Sequence, residues 1–203
     1  MNEILNEFRR KAFHLTALIF PFFYALTTQE NILRIVVPLT AFALILDAQR
    51  RRGNSLSLLI EKIFGKLMRP HERNGSLSGL SYMLVGVTIT IVLYTKIIAI
   101  TALLILVLAD TASAIFGRIF GRHRCFGIEN KSWEGFLAFA IMTWLVIMFV
   151  HGIAGVYPNA WLVGIAVGFA TALVEVVSGR LRIDDNVLIP ISAGIFLTPF
   201  YFS

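Results

Sequence analysis

Cysteine is almost missing from this chain: Cys125 is the single one in 203 residues. No internal disulfide can form, and nothing points to an oxidising compartment. Charge is scarce too. Charged residues make up 15% of the chain, against about 25% in a typical soluble domain, while 57% are hydrophobic. The apolar excess belongs in a bilayer, and one membrane domain over residues 1–203 leaves no room for a separate soluble one. Acids are fewer than bases, 12 against 18, for a net charge of +6. That balance suits nucleic acid, but the basic residues alternate with apolar runs instead of forming a patch, so no nucleic-acid partner is expected. Internal repeats, low-complexity tracts, a Walker-type phosphate loop and protein-kinase motifs are all absent. No small-residue cleavage pattern follows the first apolar run, so a cleavable signal peptide is not expected.

What the sequence has instead is apolar runs. A membrane helix needs about 20 mostly apolar residues, fewer where its ends are buried in protein. Seven runs qualify, over 13–28, 32–48, 79–94, 97–116, 133–150, 160–177 and 187–202. The fold class this predicts is all-α, a polytopic bundle of about seven transmembrane helices. Prolines at 21, 38, 190 and 199 fall inside runs, which neighbouring helices make tolerable in membranes. Sixteen of the 18 lysines and arginines lie on one side of this alternation; only Arg34 and Lys96 lie on the other. By the positive-inside rule the N-terminus is cytoplasmic and the C-terminus outside. Residues 55–69 read as a basic amphipathic helix, with Leu56, Leu59, Ile60, Ile63, Phe64, Leu67 and Met68 on one face. Such a helix rests in the interface or against the ends of the spans.

The polar groups gather at cytoplasmic span ends. Arg10 and His14 stand at span one, Asp47 at span two, and Glu72, Arg73 and Asn74 before span three. Asp110 lies in the last turns of span four, Lys131, Ser132 and Glu134 at the start of span five, Glu175 late in span six, and Asp184, Asp185 and Asn186 at the start of span seven. Plainer roles exist for several. Arg9-Arg10-Lys11 suits positive-inside charge, Asp47 beside Arg50 a helix-end ion pair, and Asp184-Asp185-Asn186 an N-cap. Gly117 and Gly121, four apart, suit helix packing as well as phosphate approach. Asp110 and Glu175 resist a plain reading, because an unpaired carboxylate in an apolar span is costly. Arginine partners or a metal would compensate them.

Together these residue types are the parts of phosphoryl or nucleotidyl transfer. Carboxylates suit Mg²⁺, which takes one or two of them plus substrate phosphates. Arginine and lysine hold phosphate oxygens, glycine admits them, and a helix N-terminus adds amide donors. A site at a membrane surface implies a lipid acceptor.

Arg9-Arg10-Lys11-x-x-His14, Asp110-Thr-Ala-Ser-Ala-x-x-Gly117-x-x-x-Gly121, Lys131-Ser-x-Glu134-Gly135 and Asp184-Asp185-Asn186-x-x-x-Pro190 occur in that order. This set resembles the polyprenol kinase family, which includes dolichol kinase, phytol kinase and the CTP-dependent diacylglycerol kinase, and is distantly similar to phosphatidate cytidylyltransferase. The resemblance implies Mg²⁺-dependent transfer of the γ-phosphoryl group of a nucleoside triphosphate, CTP before ATP, to a lipid alcohol such as a polyprenol, a phytol-like isoprenoid or diacylglycerol. It implies an integral protein of a bacterial or archaeal plasma membrane, active at the cytoplasmic face; a homo-oligomer is compatible with it. The expected metal ligands are Asp110, Glu175, Asp184 and Asp185, with Asp110 or Asp185 also the proton acceptor. Lys131, Arg118, Arg122, Gly117, Gly121 and Ser132 are expected on the triphosphate, Glu134 as supporting carboxylate or base, Arg10 and His14 closing the site, and Asn186 orienting nucleotide or metal water. A cytidylyltransferase making a CDP-lipid is the second reading, although that enzyme's long signature is absent. A transporter is the third, and it would place its charges nearer the bilayer midplane.

Overall fold

The computed structural model describes residues 2–51, 76–128, 131–181 and 183–201. The amphipathic helix expected over 55–69, and Glu72, Arg73 and Asn74, lie outside the described residues. Within them the chain is helical, with a lone antiparallel bridge between Arg124 and Ser132 and no strand. The helices are α1 (Asn2–Leu15), α2 (Ile19–Leu26), α3 (Gln29–Arg50), α4 (Gly79–Leu93), α5 (Lys96–Leu104), α6 (Asp110–Ile119), α7 (Trp133–Ala154), α8 (Ala160–Leu181) and α9 (Asp185–Tyr201). A 3₁₀ turn, Thr16–Leu18, joins α1 to α2, and a π-helical stretch, Ile105–Ala109, joins α5 to α6. Counted as continuous passes, these make seven, at the positions of the seven expected runs. Four, Gln29–Arg50, Lys96–Ile119, Trp133–Ala154 and Ala160–Gly179, are long and apolar enough to cross a membrane; Gly79–Leu93 is a shorter apolar helix.

Local chemistry sets the breaks. Pro21 has no N–H to give the Ala17 carbonyl, so the first pass tightens at 16–18, one turn before the proline rather than at it. Pro38, by contrast, sits inside an unbroken α3. Thr28, Ser78 and Ser132 cap α3, α4 and α7, each side-chain oxygen accepting a backbone N–H three residues on.

The pass α5–π–α6 is the most buried of the four and forms the axis. Ile98, Ala102, Ile105, Leu106 and Ala109 pack there against Phe136, Phe139 and Ile147 of α7, Val163 and Val167 of α8, and Ile189 and Ala193 of α9. The outer helices turn apolar side chains outward. Leu137, Ile141, Leu145, Phe149 and Ile153 form an exposed stripe along α7 at four-residue spacing. A stripe of that length on a water-facing helix would be an aggregation surface; against lipid it is the expected face.

Helices α4 and α9 run parallel. Gly86 meets Asn186 near one end, and Tyr94 donates from Oη to the Ile191 carbonyl at 2.7 Å towards the other. Asp47, buried at the end of α3, accepts from the Ser78 amide at 2.8 Å, from Ser78 Oγ at 2.9 Å and from Ser81 Oγ at 2.6 Å. Arg50 Nε lies 3.2 Å from its other oxygen. The helix-end ion pair is present, and it doubles as the clamp on the start of α4.

Candidate active site

Asp110 is the first residue after the π stretch and is buried. A wide turn leaves carbonyls without their usual i+4 donors and is a recurrent feature of functional helices. Here the Leu106 carbonyl lies 3.4 Å from His14 Nε2, and the Val107 carbonyl accepts from Thr111 Oγ1 at 2.6 Å. Lys11 of α1 donates from Nζ to Asp110 Oδ2, and His14 Nε2 lies 3.5 Å from the same oxygen. Lys11 and His14 are three apart, on one face of α1, and both are buried. From sequence we single out Arg10 and His14; the lysine between them is the residue seated on the carboxylate. No signal in the sequence separates it from Arg10, since spacings of three and four from His14 both fall on one helical face.

One turn along α6, Ser113 Oγ donates to Glu175 Oε1 at 3.3 Å. Lys131 Nζ donates to the same oxygen at 2.6 Å and to the Glu175 carbonyl at 2.9 Å. Asp185 Oδ2 lies 3.9 Å from that ammonium. Asp184 Oδ1 accepts from the Asn186 amide at 3.0 Å and from its Nδ2 at 2.7 Å, making a compact acidic turn at the start of α9. Asp110 and Glu175, buried, and Lys131 and Asp185, half-buried, thus form one electrostatic group drawn from four segments of the chain. Lys131 pairs with Glu175 and Asp185, and the charge of Asp110 acts on it from further off. Burial alone would lower its pKa; Asp185 and Glu175 outweigh that and hold it above the usual 10.5.

The loop between α6 and α7 carries Lys131 into the group. Cys125, fully buried, donates its amide to the Lys131 carbonyl at 3.0 Å, and the Trp133 amide donates to the His123 carbonyl at 3.0 Å. Burial pushes the Cys125 thiol pKa up, with nearby Glu175 adding to it. Glu134 serves this loop: Oε1 lies 2.8 Å from His123 Nδ1 and accepts from the Arg122 amide at 3.2 Å. Its Oε2 is buried with no hydrogen-bond partner among the described residues. Arg118 and Arg122 are exposed at the end of α6 and in the loop.

The glycines are contact points between helices. A Cβ on Gly117 would lie 3.2 Å from Ser132 Oγ, and one on Gly135 would lie 3.0 Å from the Ser113 carbonyl oxygen and 3.3 Å from Gly117 Cα. A Cβ on Gly121 would meet the Gly117 carbonyl oxygen at 2.1 Å and Ser132 Oγ at 2.9 Å. The space beside Gly117 is taken by the start of α7, while that beside Gly121 is taken by the Gly117 carbonyl of its own turn and by Ser132. Ser132 Oγ already accepts from the Gly135 amide at 3.1 Å.

Among the described residues, three carboxylates (Asp110, Glu175, Asp185) face two ammonium groups (Lys11, Lys131) and the His14 ring. Among the described residues, no three acidic, imidazole or thiol groups are close enough to hold an ion by themselves. That donor chemistry fits Mg²⁺ arriving with phosphates, which needs one or two carboxylates, and not a protein cage complete in itself.

An all-helical bundle with membrane-length apolar passes and an acid–lysine group at their ends defines a class of integral membrane protein with a polar centre. Within it, the chain belongs to the cytidylyltransferase family, which it matches over residues 1–180. It is 32% identical to an uncharacterised protein of Rickettsia prowazekii over 96% of this chain and 94% of that one. It is 28% identical to CTP-dependent diacylglycerol kinase 1 of Schizosaccharomyces pombe, over 74% of this chain and 72% of that one. An uncharacterised protein of Methanocaldococcus jannaschii is 34% identical over 55% of this chain and 53% of its own. No solved structure matches.

Proposed function

We propose that the protein transfers the γ-phosphoryl group of CTP to the hydroxyl of a membrane lipid alcohol, at the cytoplasmic face, with Mg²⁺. The observation that carries this reading is Lys131 held by Glu175 and Asp185 beside the buried Asp110. The named activity of the fission-yeast relative supports CTP as donor and a lipid hydroxyl as acceptor.

Lys131 would bind the triphosphate, with Arg118 and Arg122 reaching it from the loop and Ser132 with the α7 N-terminus adding donors. Glu175 and Asp185, which share Lys131, are the residues that would hold Mg²⁺ together with the phosphates; Asp110 is taken up by Lys11 and Asp184 by Asn186. When bound, the ion neutralises charge on the phosphates. The acceptor oxygen forms a bond to the γ-phosphorus, the bond to the bridging oxygen breaks, CDP leaves, and the hydroxyl proton passes to a carboxylate. Asp185 is the better proton acceptor of the two candidates. Among the described residues Asp185 has one ion pair, a 3.9 Å approach to Lys131, whereas Asp110 is closed in by Lys11 and His14. Asn186 stiffens the acidic turn beside it, and Glu134 holds the loop that delivers Lys131.

A second reading, a CDP-lipid-forming cytidylyltransferase, is favoured by the family's description. One experiment separates them. Purified protein in mixed micelles is given γ- or α-labelled CTP and a panel of phytol, geranylgeraniol, undecaprenol, diacylglycerol and phosphatidate, with ATP as alternative donor. A kinase places the γ-label in lipid and releases CDP. A cytidylyltransferase places the α-label in lipid and releases pyrophosphate.

A further inference from the structure

Gly86 stands midway along α4. A Cβ there would fall 2.0 Å from the Asn186 carbonyl oxygen and 3.2 Å from Val187 Cα. Both are backbone atoms, so no rotation of a side chain relieves the overlap, and only glycine lets the first turn of α9 rest on α4. The two helices are parallel, yet α9 begins opposite a residue seven positions into α4, about 10 Å along its axis. The turn Asp184-Asp185-Asn186 is therefore sunk into the bundle below the level where α4 starts. Two bonds to Asp184 Oδ1 keep the turn compact, and within it Asp185 reaches Lys131. We propose that Gly86 is a positioning residue: its contact with Asn186 sets the depth of the acidic turn and so the separation of Asp185 from Lys131 and Glu175. The kinetic consequences rest on the proposed function; the geometry does not.

The test compares Gly86→Ala with Gly194→Ala. Gly194 belongs to the same helix pair, and a Cβ there would meet the Tyr94 ring at 2.2 Å, far from the acidic turn. With labelled CTP and diacylglycerol or phytol in mixed micelles, Gly86→Ala raises KM for magnesium-CTP at least tenfold and leaves KM for the acceptor unchanged. Gly194→Ala changes neither. Independently of turnover, amine-reagent labelling of Lys131, followed by mass spectrometry, speeds up severalfold in Gly86→Ala and not in Gly194→Ala, because Asp185 has moved off the ammonium. Equal labelling rates in the two variants overturn the proposal. If the wild type transfers no phosphoryl group, the functional reading fails while the labelling still decides this one. Should Gly86→Ala not fold, the depth itself is measurable in a Cys125→Ala background. Val187→Cys then reacts with a bulky maleimide at least tenfold more slowly than Leu77→Cys, and equal rates there also overturn the proposal.

Discussion

Lys11 and Asp110 are each too costly to bury alone, and each makes the other tolerable. Asp110→Asn keeps the shape but strands the Lys11 ammonium, which costs about 3–5 kcal/mol when one partner of a buried pair is removed. We expect this variant to lose phosphoryl transfer and to melt earlier in detergent. Lys11→Met combined with Asp110→Asn should recover much of the melting temperature and none of the activity. Parallel melting and activity assays on the two variants and the wild type check this, and activity near wild type in Asp110→Asn would sink the central reading. Lys131 makes a second expectation. Its folded pKa is raised, so its ion pairs stabilise the protein fully below about pH 10.5, and that contribution is lost as pH rises through the higher folded value. Stability against pH in detergent should therefore fall in the alkaline range for wild type and not for Lys131→Met. Asp110 and Glu175 were legible in the sequence because a charge in an apolar run stands out. Lys11 was not, because nothing in Arg9-Arg10-Lys11 distinguishes the residue that points inward. Gly86, one glycine in a run of small and apolar residues, carried no signal at all.

At the scale of the helix, glycine separates close packing from mere permissiveness. Gly135 lies between Ser113 and Gly117, whereas nothing lies within 4 Å of a Cβ at Gly152, on the same helix. Gly135→Ala should lower the melting temperature by forcing α6 and α7 apart. Gly152→Ala should raise stability by up to about 1 kcal/mol, as expected for alanine replacing an unconstrained helical glycine. Circular-dichroism melts of the two variants give the signs, and two changes of the same sign would contradict this account. The starts of α4, α7 and α8 fall where the apolar runs begin, because caps and polar residues mark them. The π stretch was not legible. Its residues, Ile105 to Ala109, are uniformly apolar, and a wider turn changes neither composition nor any visible period.

For the whole molecule, the seven passes and the distribution of basic residues make a prediction about sidedness. In a Cys125→Ala background, His123→Cys and Asn159→Cys should react with impermeant maleimide from opposite faces of sealed vesicles, since their loops are separated by the single pass α7. Labelling from one face would undo the seven-span topology and with it the cytoplasmic placement of the site. The order and number of passes could be read from the sequence because each is a long run against a polar interruption. Their neighbours could not: that α4 and α9 lie side by side shows only where Gly86 meets Asn186 and Tyr94 meets Ile191, about a hundred residues away.

The Asp47 clamp carries a consequence for how this chain can vary. Arg50 Nη2 donates to the Ser76 carbonyl at 2.6 Å, and Ser78 and Ser81 both bind Asp47, so the chain leaves and returns at one fixed point. Everything between Arg51 and Ser76 is an excursion whose ends are already tied. Closing such an excursion becomes harder only slowly with length, by about 0.6 kcal/mol for each doubling. Changes of length between Arg51 and Ser76 should therefore cost little at these two tied ends. Asp47→Asn should loosen both ends together, because Arg50, Ser78 and Ser81 all bond to that one carboxylate.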